Sequence, residues 1–322
     1  MTVWIIFFAL ITFFLALDLG VFHKKDAVVT IKESLIWTAI WVAVALLFGI
    51  AIYFIYENQL FGLNTHGING IDAMTEYYTG YVLEESLSMD NIFVIAMIFK
   101  FFKIQPKFQH RVLFWGIIGA VVFRLIMILL GQAFIEQFSW SMYVFGGILI
   151  WSAYKMLKDE DEESDFKESL GVRILSKIYP INWKIQNGHF IEKIDGKTVA
   201  TPLLATLIVI EFTDILFAVD SIPAIFSITT DPFIIFSSNI FAILGLRSLY
   251  FFLSGMLDKF EHIKTALVFV LMFVGLKMIF HDYLHFLSEH TWISLVVILT
   301  FLSGGVIASI ISNKRKEKEN LG

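Results

Sequence analysis

Nine apolar stretches, each long enough to cross a bilayer, constrain this chain more than any other feature. They fall near residues 3–22, 35–56, 78–99, 112–134, 139–156, 202–226, 234–257, 265–281 and 292–312. At 1.5 Å per residue, a helix of about 20 residues covers roughly 30 Å of hydrocarbon. Of the 322 residues, 57% are apolar and only 16% charged, where a soluble domain has roughly half and a quarter. The expected fold is an all-α polytopic membrane protein of nine transmembrane helices.

Charge placement orients those helices. All but three of the 24 Lys and Arg lie in alternate connections or the C-terminal tail, at Lys24, Lys25 and Lys32, from Lys100 to Arg111, from Lys155 to Lys197, at Lys259 and Lys264, and from Lys314 to Lys318. The opposite connections, around 57–77, 135–138, 227–233 and 282–291, have none. Under the positive-inside bias, the N-terminus is expected outside and the C-terminus in the cytoplasm, which an odd number of spans requires. The first stretch lacks a preceding positive region and is followed by Lys24 and Lys25, so it is read as a retained helix and not a signal peptide.

The chain has no Cys, which excludes disulfides, thiol catalysis and thiolate metal ligands. No HExxH zinc motif occurs and no Ser is paired with an intramembrane His, so an enzyme is not expected.

Two segments share a pattern: Glu84-x5-Asp90-Asn91-Ile92 and Asp214-x5-Asp220-Ser221-Ile222. The stretches that follow also align, Arg124 in GAVVFRLIMI with Arg247 in AILGLRSLYF, and Tyr154-Lys155-Met156-Leu157 with Leu276-Lys277-Met278-Ile279. Three matched features in order predict a repeat of three helices, and because three is odd the copies enter the membrane from opposite sides. The expected organisation is flanking helices in 1–77, repeat A in 78–157, a cytoplasmic loop in 158–199, repeat B in 200–281, and a last helix with a basic tail in 282–322. Inverted repeats of this kind mark many secondary transporters, whose sites lie near the midplane between the repeats.

Within the loop, the acidic run 159–163 is read as solvated. Phe166, Leu170, Ile174, Leu175 and Ile178 recur at helical spacing among basic residues, which predicts a helix on the inner membrane surface. Residues 190–201, with Asp195-Gly196 at the centre, predict a hairpin on a type I′ turn.

Seven acids fall inside the stretches: Asp18, Glu84, Glu85, Asp90, Glu211, Asp214 and Asp220. An ionised carboxylate at mid-bilayer costs about 2.5 to 3.5 kcal/mol, and only Arg124, Arg247 and Lys277 are present to compensate. Pairing that merely locks helices together is one resolution. Protonation or a bound cation resolves the remaining charge. Glu84, Ser88 and Asn91 form one stripe, and Asp214, Ala218 and Ser221 its equivalent. Pro223 is expected to kink its helix beside Asp220 and swing that acid into the same cavity. The candidate metal ligands are therefore Glu84, Asp90, Asn91, Asp214, Asp220 and Ser221, with Glu211 as accessory and Glu85 set aside. Such oxygens suit Mn²⁺, Mg²⁺ or Ca²⁺. Asp18, Arg124, Arg247 and Lys277 are candidates for charge pairing or gating; Asp18 is read as an inner-mouth residue or a ligand, and Lys277 as a side chain that snorkels to the interface. His281, His285 and His290, with Asp282 and Glu289, are read as a hydrated outer loop, a vestibule metal site being the alternative.

These residues resemble the TerC family of integral membrane proteins, most closely its Alx branch. The resemblance rests on GYVLEESLSMDNIFV, GAVVFRLIMI, ATPLLATLIVIEFTDILFAVDSIPAIFSITTDPFI and SNIFAILGLRSLYFFL, and runs over essentially the whole chain. In that branch the position of Glu85 is commonly basic, which favours Glu84 as the ligand of the pair. The resemblance implies a bacterial inner-membrane protein that exports manganese. It also carries an association with tellurite resistance and redox stress, for which the residues offer no physical basis.

Moving two positive charges out against an inside-negative potential of ~100 mV costs about 4.6 kcal/mol, whereas a tenfold gradient supplies only about 1.4. Export is therefore expected to be coupled to inward protons, with Glu84, Asp90, Asp214 and Asp220 holding metal and proton in turn. The alternative is a membrane scaffold that acts through its cytoplasmic loop, the acids being structural. Beyond the transported Mn²⁺ no cofactor is expected. The expected partners are the divalent cation, protons and the lipid bilayer, with no nucleic acid.

Overall fold

The computed structural model describes residues 2–22, 30–64, 67–138, 140–158, 166–184, 188–194, 196–254, 263–280, 283 and 291–319. Among them are ten α-helices: α1 (Thr2–Phe22), α2 (Ile31–Glu57), α3 (Gly70–Phe101), α4 (Pro106–Gln137), α5 (Ser141–Lys158), α6 (Leu170–Ile178), α7 (Pro202–Phe226), α8 (Pro232–Ser254), α9 (Ile263–Ile279) and α10 (Thr291–Glu319). Two strands, β1 (Ile191–Ile194) and β2 (Lys197–Ala200), and two short 3-10 turns, Leu60–Gly62 and Phe166–Glu168, accompany them.

Local chemistry sets the helix starts. Thr30 and Glu33 form a reciprocal capping box ahead of α2, the Thr30 amide donating to Glu33 Oε2 at 3.0 Å and the Glu33 amide to Thr30 Oγ1 at 3.2 Å. Asn69 caps α3 by accepting from the Asp72 amide at 2.8 Å. Pro106, Pro202 and Pro232 open α4, α7 and α8, where a missing N–H leaves nothing unsatisfied. Asp231 Oδ1 caps α8 by accepting from the amides of Phe233 and Ile234 at 2.9 and 3.2 Å.

Five helices are long and apolar enough to cross a membrane: α2, α4, α7, α8 and Trp292–Asn313 within α10. The other expected spans are also helical but fall short of that standard for visible reasons. Thr2–Leu17 of α1 is a shorter apolar helix, α9 has 17 residues, and α5, though 18 residues long, is diluted by Lys155, Lys158 and several Ser, Gly and Tyr. Five acidic residues, Asp72, Glu76, Glu84, Glu85 and Asp90, interrupt α3.

Helix α8 is the hub of the bundle. Its whole apolar window is buried, and it packs on α2, α3 and α4. Aromatic rings fill the space around it. Trp4 of α1 meets Phe233 edge-on at 5.3 Å between centroids, and Phe48 of α2 lies 4.5 Å from Phe241. Around this hub α4 packs on α7, α5 on α9, and α10 on both α3 and α9. The α5–α9 crossing is unusually close: a Cβ on Gly146 would come within 2.8 Å of the Gly275 carbonyl, and one on Gly275 within 2.9 Å of the Gly146 carbonyl. Small residues are what allow membrane helices to approach backbone to backbone.

The hairpin forms as expected. Ile194 pairs with Lys197 across a two-residue loop, and Gly196 has φ +76°, a conformation that only Gly adopts without strain. Thr201 Oγ1 ties the hairpin to α7, donating to the His189 carbonyl at 2.6 Å. Helix α6 presents Leu170, Ile174 and Ile178 outward while burying Val172 and Leu175, as a helix resting on lipid would.

One expectation is corrected. Helix α7 stays helical through Pro223 to Phe226, so no break opens beside Asp220. Pro223 stands only three residues from the helix end, where the bond it cannot make belongs to the last turn. The acidic run 159–163 and the outer residues His281, Asp282, His285, Glu289 and His290 lie outside the described residues.

Candidate functional site in the bundle interior

The two acidic stripes face protein, not lipid. Glu84, Ser88 and Asn91 on α3 are 2%, 1% and 5% exposed, and Ala218 and Ser221 on α7 are equally buried. Between them Arg124, 1% exposed, reaches in from α4. Its Nη1 donates to Glu84 Oε1 and to Asn239 Oδ1, the latter at 2.9 Å, and its Nη2 donates to Asp214 Oδ1 at 3.3 Å. One guanidinium thus joins α3, α4, α7 and α8, and it binds the matching acid of each repeated pattern. The planar fork of Arg makes such multiple pairing possible, where a Lys ammonium would be a single point charge. An ion network this deep offsets a desolvation cost of several kcal/mol per ion only when its hydrogen bonds are well made.

The network is not saturated. Among the described residues Asp214 Oδ2, Glu211 Oε2 and Glu85 Oε2 are buried without a hydrogen-bond partner. Asp214 and Glu211 line a cavity of about 30 Å³ together with Asn91, Thr213 and Arg247, the remaining walls being apolar. That volume holds a water molecule or two, or a largely dehydrated ion. Glu211 lies close against Gly119 of α4, where a Cβ would collide with its carboxylate. The glycine makes room for the acid.

The expected ligands do not all converge. Asp220 turns toward α5, where Ser152 Oγ donates to its Oδ1 at 2.5 Å. With α7 unbroken, Asp220 stays about 120° round the helix from Asp214 and Ser221. The side chains of Asp90 and Asp18 lie outside the described residues. Among the described residues no group of three or more His, Asp or Glu could hold a metal ion as placed, since Arg124 already occupies oxygens of Glu84 and Asp214. Arg247 is buried and lines the small cavity.

Lys277 does not snorkel. It is 5% exposed, and its Nζ donates to Ser294 Oγ of α10 at 3.0 Å. Four partners escaped the reading of the sequence: Asn239, Ser152, Gly119 and Ser294. All four are small or neutral residues on other helices, and no spacing rule along one helix points to them. His110, near the start of α4, is buried.

Residues 69–317 match the model of the family described as Integral membrane protein TerC family. The chain belongs to the TerC family. Full-length relatives agree. The chain is 44% identical over 311 residues to the uncharacterized membrane protein STKORF319 of Myxococcus xanthus, covering 97% of this chain and 92% of that one. It is 44% identical over 308 residues to an uncharacterized membrane protein of Rickettsia felis, covering 96% and 97%. A protein of Salmonella typhi named putative membrane-bound redox modulator Alx is 39% identical over 315 residues, covering 97% and 95%. No solved structure matches the chain. This TerC protein is therefore an all-α, mostly helical integral membrane protein.

Proposed function

We propose that this TerC protein is a secondary transporter that exports a hard divalent cation, Mn²⁺ foremost, from the bacterial cytoplasm in exchange for protons. The observation that carries the reading is the guanidinium of Arg124 shared by Glu84 and Asp214, equivalent acids of two similar helices, beside a cavity with unpartnered carboxylate oxygens. Glu84, Glu211 and Asp214 carry up to three negative charges against two on Arg124 and Arg247, and the unpartnered oxygens of Glu211 and Asp214 face a cavity that a cation or protons can enter.

Nine spans with the N-terminus outside, arranged as an inverted three-plus-three repeat, form the framework of this reading. Helix pairing supports it: α3 on α8 is matched by α7 on α4, while α5 meets its counterpart α9 directly. A two-fold axis in the membrane plane would produce that pattern, with the cargo site between the repeats. In this arrangement Arg124 stands where a metal would, and cargo binding requires the guanidinium to release Glu84 or Asp214. Asp90 and Asp220 then serve as further metal and proton ligands. The oxygen-only donor set favours Mn²⁺, Mg²⁺ or Ca²⁺ over softer ions.

A second reading, redox modulation, is prompted by the name of the Alx relatives. With no Cys in the chain, its own thiols cannot supply such an activity.

The test is ⁵⁴Mn²⁺ flux in proteoliposomes of the full-length protein, with and without a pH gradient. Flux driven by the gradient and lost in Asp214→Asn is expected. Absence of Mn²⁺, Ca²⁺ and Mg²⁺ flux, or flux indifferent to the gradient, would remove export or coupling respectively.

A further inference from the structure

A second cavity opens at the end of the bundle where α7 and α9 stop and α3 and α8 start. At about 310 Å³ it is far larger than the 30 Å³ cavity beside Asp214. Glu76 of α3, Asp231 at the cap of α8, Thr229 before it and Lys277 of α9 line its walls.

Three facts about these groups matter. Glu76 is 9% exposed, and its Oε2 makes no hydrogen bond among the described residues. Lys277 is 5% exposed and directs one N–H to Ser294, yet among the described residues it forms no ion pair within 4.0 Å. Asp231 already gives Oδ1 to two amides of α8 and stays in place as a structural cap. A buried carboxylate and a buried ammonium therefore line one roomy cavity without touching. Two buried ionisable groups in that relation either give up their charge or are stabilised by something polar in the space between them. The negative end of α7, at Phe226 and Ser227, forms part of the same wall and favours a cation there.

We propose that this cavity is a second, low-affinity site for a hydrated divalent cation, in which the Lys277 ammonium is a built-in competitor for Glu76. The space suffices, since six waters at about 30 Å³ each occupy about 180 Å³. The donors are hard oxygens, from Glu76, Asp231 and Thr229, as a dication of this class requires. The ammonium weakens binding by adding like charge to the cavity, which suits a place where cargo is let go. Ser294 keeps the ammonium against the far wall, so that it lowers affinity without filling the site. The inference rests on the export reading for its biological sense, but its physical content is a binding site.

Binding of Mn²⁺ to the full-length protein in lipid nanodiscs, with free Mn²⁺ read by electron paramagnetic resonance, tests it. Lys277→Met is expected to bind one Mn²⁺ at least tenfold more tightly than the weak phase of the native protein. Adding Glu76→Gln to that variant is expected to erase the gain, and Lys277→Arg is expected to behave as the native protein does. Glu76→Gln alone, which keeps the shape of the side chain, is expected to lose the weak phase even if Lys277→Met does not fold. Superimposable isotherms for the native protein, Lys277→Met and Glu76→Gln would overturn the proposal. Because binding is read without flux, this pattern in a protein that moves no metal would sink the export reading alone. Robust flux with unchanged isotherms would sink the outer site alone.

Discussion

Glu84 and Asp214, the matching acids of two similar helices, are held to one guanidinium, that of Arg124, and neither faces lipid. The pairing makes Arg124 the keystone of four helices and, under the export proposal, the cation that cargo would displace. Those two roles respond differently to substitution.

Arg124→Met leaves two carboxylates buried without their countercharge. Loss of one partner of a buried ion network costs about 3 to 5 kcal/mol, so a large fall in thermal stability is expected. Arg124→Lys keeps the charge but not the fork, and is expected to fold while losing most export. Melting of the purified variants in detergent, beside flux in proteoliposomes, separates the two outcomes.

Gly119 and Gly116 offer a sharper comparison because both lie on α4. A Cβ at position 119 runs into the Glu211 carboxylate, whereas at position 116 the nearest atom is Ile210 Cγ2 at 3.8 Å. Gly119→Ala is therefore expected to push Glu211 out of the cavity and reduce metal flux at least tenfold. Gly116→Ala is expected to leave flux within about twofold and to stabilise the helix slightly, by up to ~1 kcal/mol. Equal effects of the two changes on flux would remove Glu211 from the site.

Ser152 holds Asp220 on the side away from the cavity. Ser152→Ala removes a hydrogen bond to an acid and is expected to cost about 1.5 to 3 kcal/mol. If Asp220 is a transport ligand, Asp220→Asn abolishes flux while Ser152→Ala only reduces it. If the acid merely fastens α7 to α5, the two variants lose stability alike and keep their flux.

The α5–α9 crossing is expected to be intolerant of bulk. Gly275→Val meets the Gly146 carbonyl and the Ile150 and Leu149 side chains, and overpacking of that kind costs on the order of 1 to 3 kcal/mol. Gly147→Ala, with nothing within 4 Å, serves as the control and is expected to melt at or slightly above the native protein, by the same gain in helix propensity as Gly116→Ala.

Much of this architecture could be read from the amino acids, because long apolar runs, capping residues and the Asp-Gly pair each act locally. The Thr30–Glu33 capping box, the Gly196 turn and the outward stripe Leu170, Ile174, Ile178 all follow from residues within two turns of one another. The acids were legible as a set because charge in an apolar run is costly and rare. Arg124 was legible as a countercharge, but which acids it meets was not. Whether Arg124 meets one acid or two depends on how α4 crosses α3 and α7, and no periodicity along α4 contains that crossing. Asp220 was expected in the cavity on the strength of a break at Pro223, but a proline so near the helix end leaves the preceding turns intact. Lys277 looked like a side chain reaching for water, and the hydroxyl of Ser294 on a different helix keeps it inside.

Where Gly146 and Gly275 face each other, two backbones touch with no side chains interposed. Elsewhere in the bundle, relative motion of two helices has to disengage interlocked Phe, Ile and Leu side chains, each with its own rotamers to reset. At the glycine contact itself no rotamer has to be reset, but Met278 and Ile279 beside Gly146, and Leu149 and Ile150 beside Gly275, lock the two helices on either side of it. The glycine pair therefore sets how near the axes of α5 and α9 come, and the flanking side chains set their register.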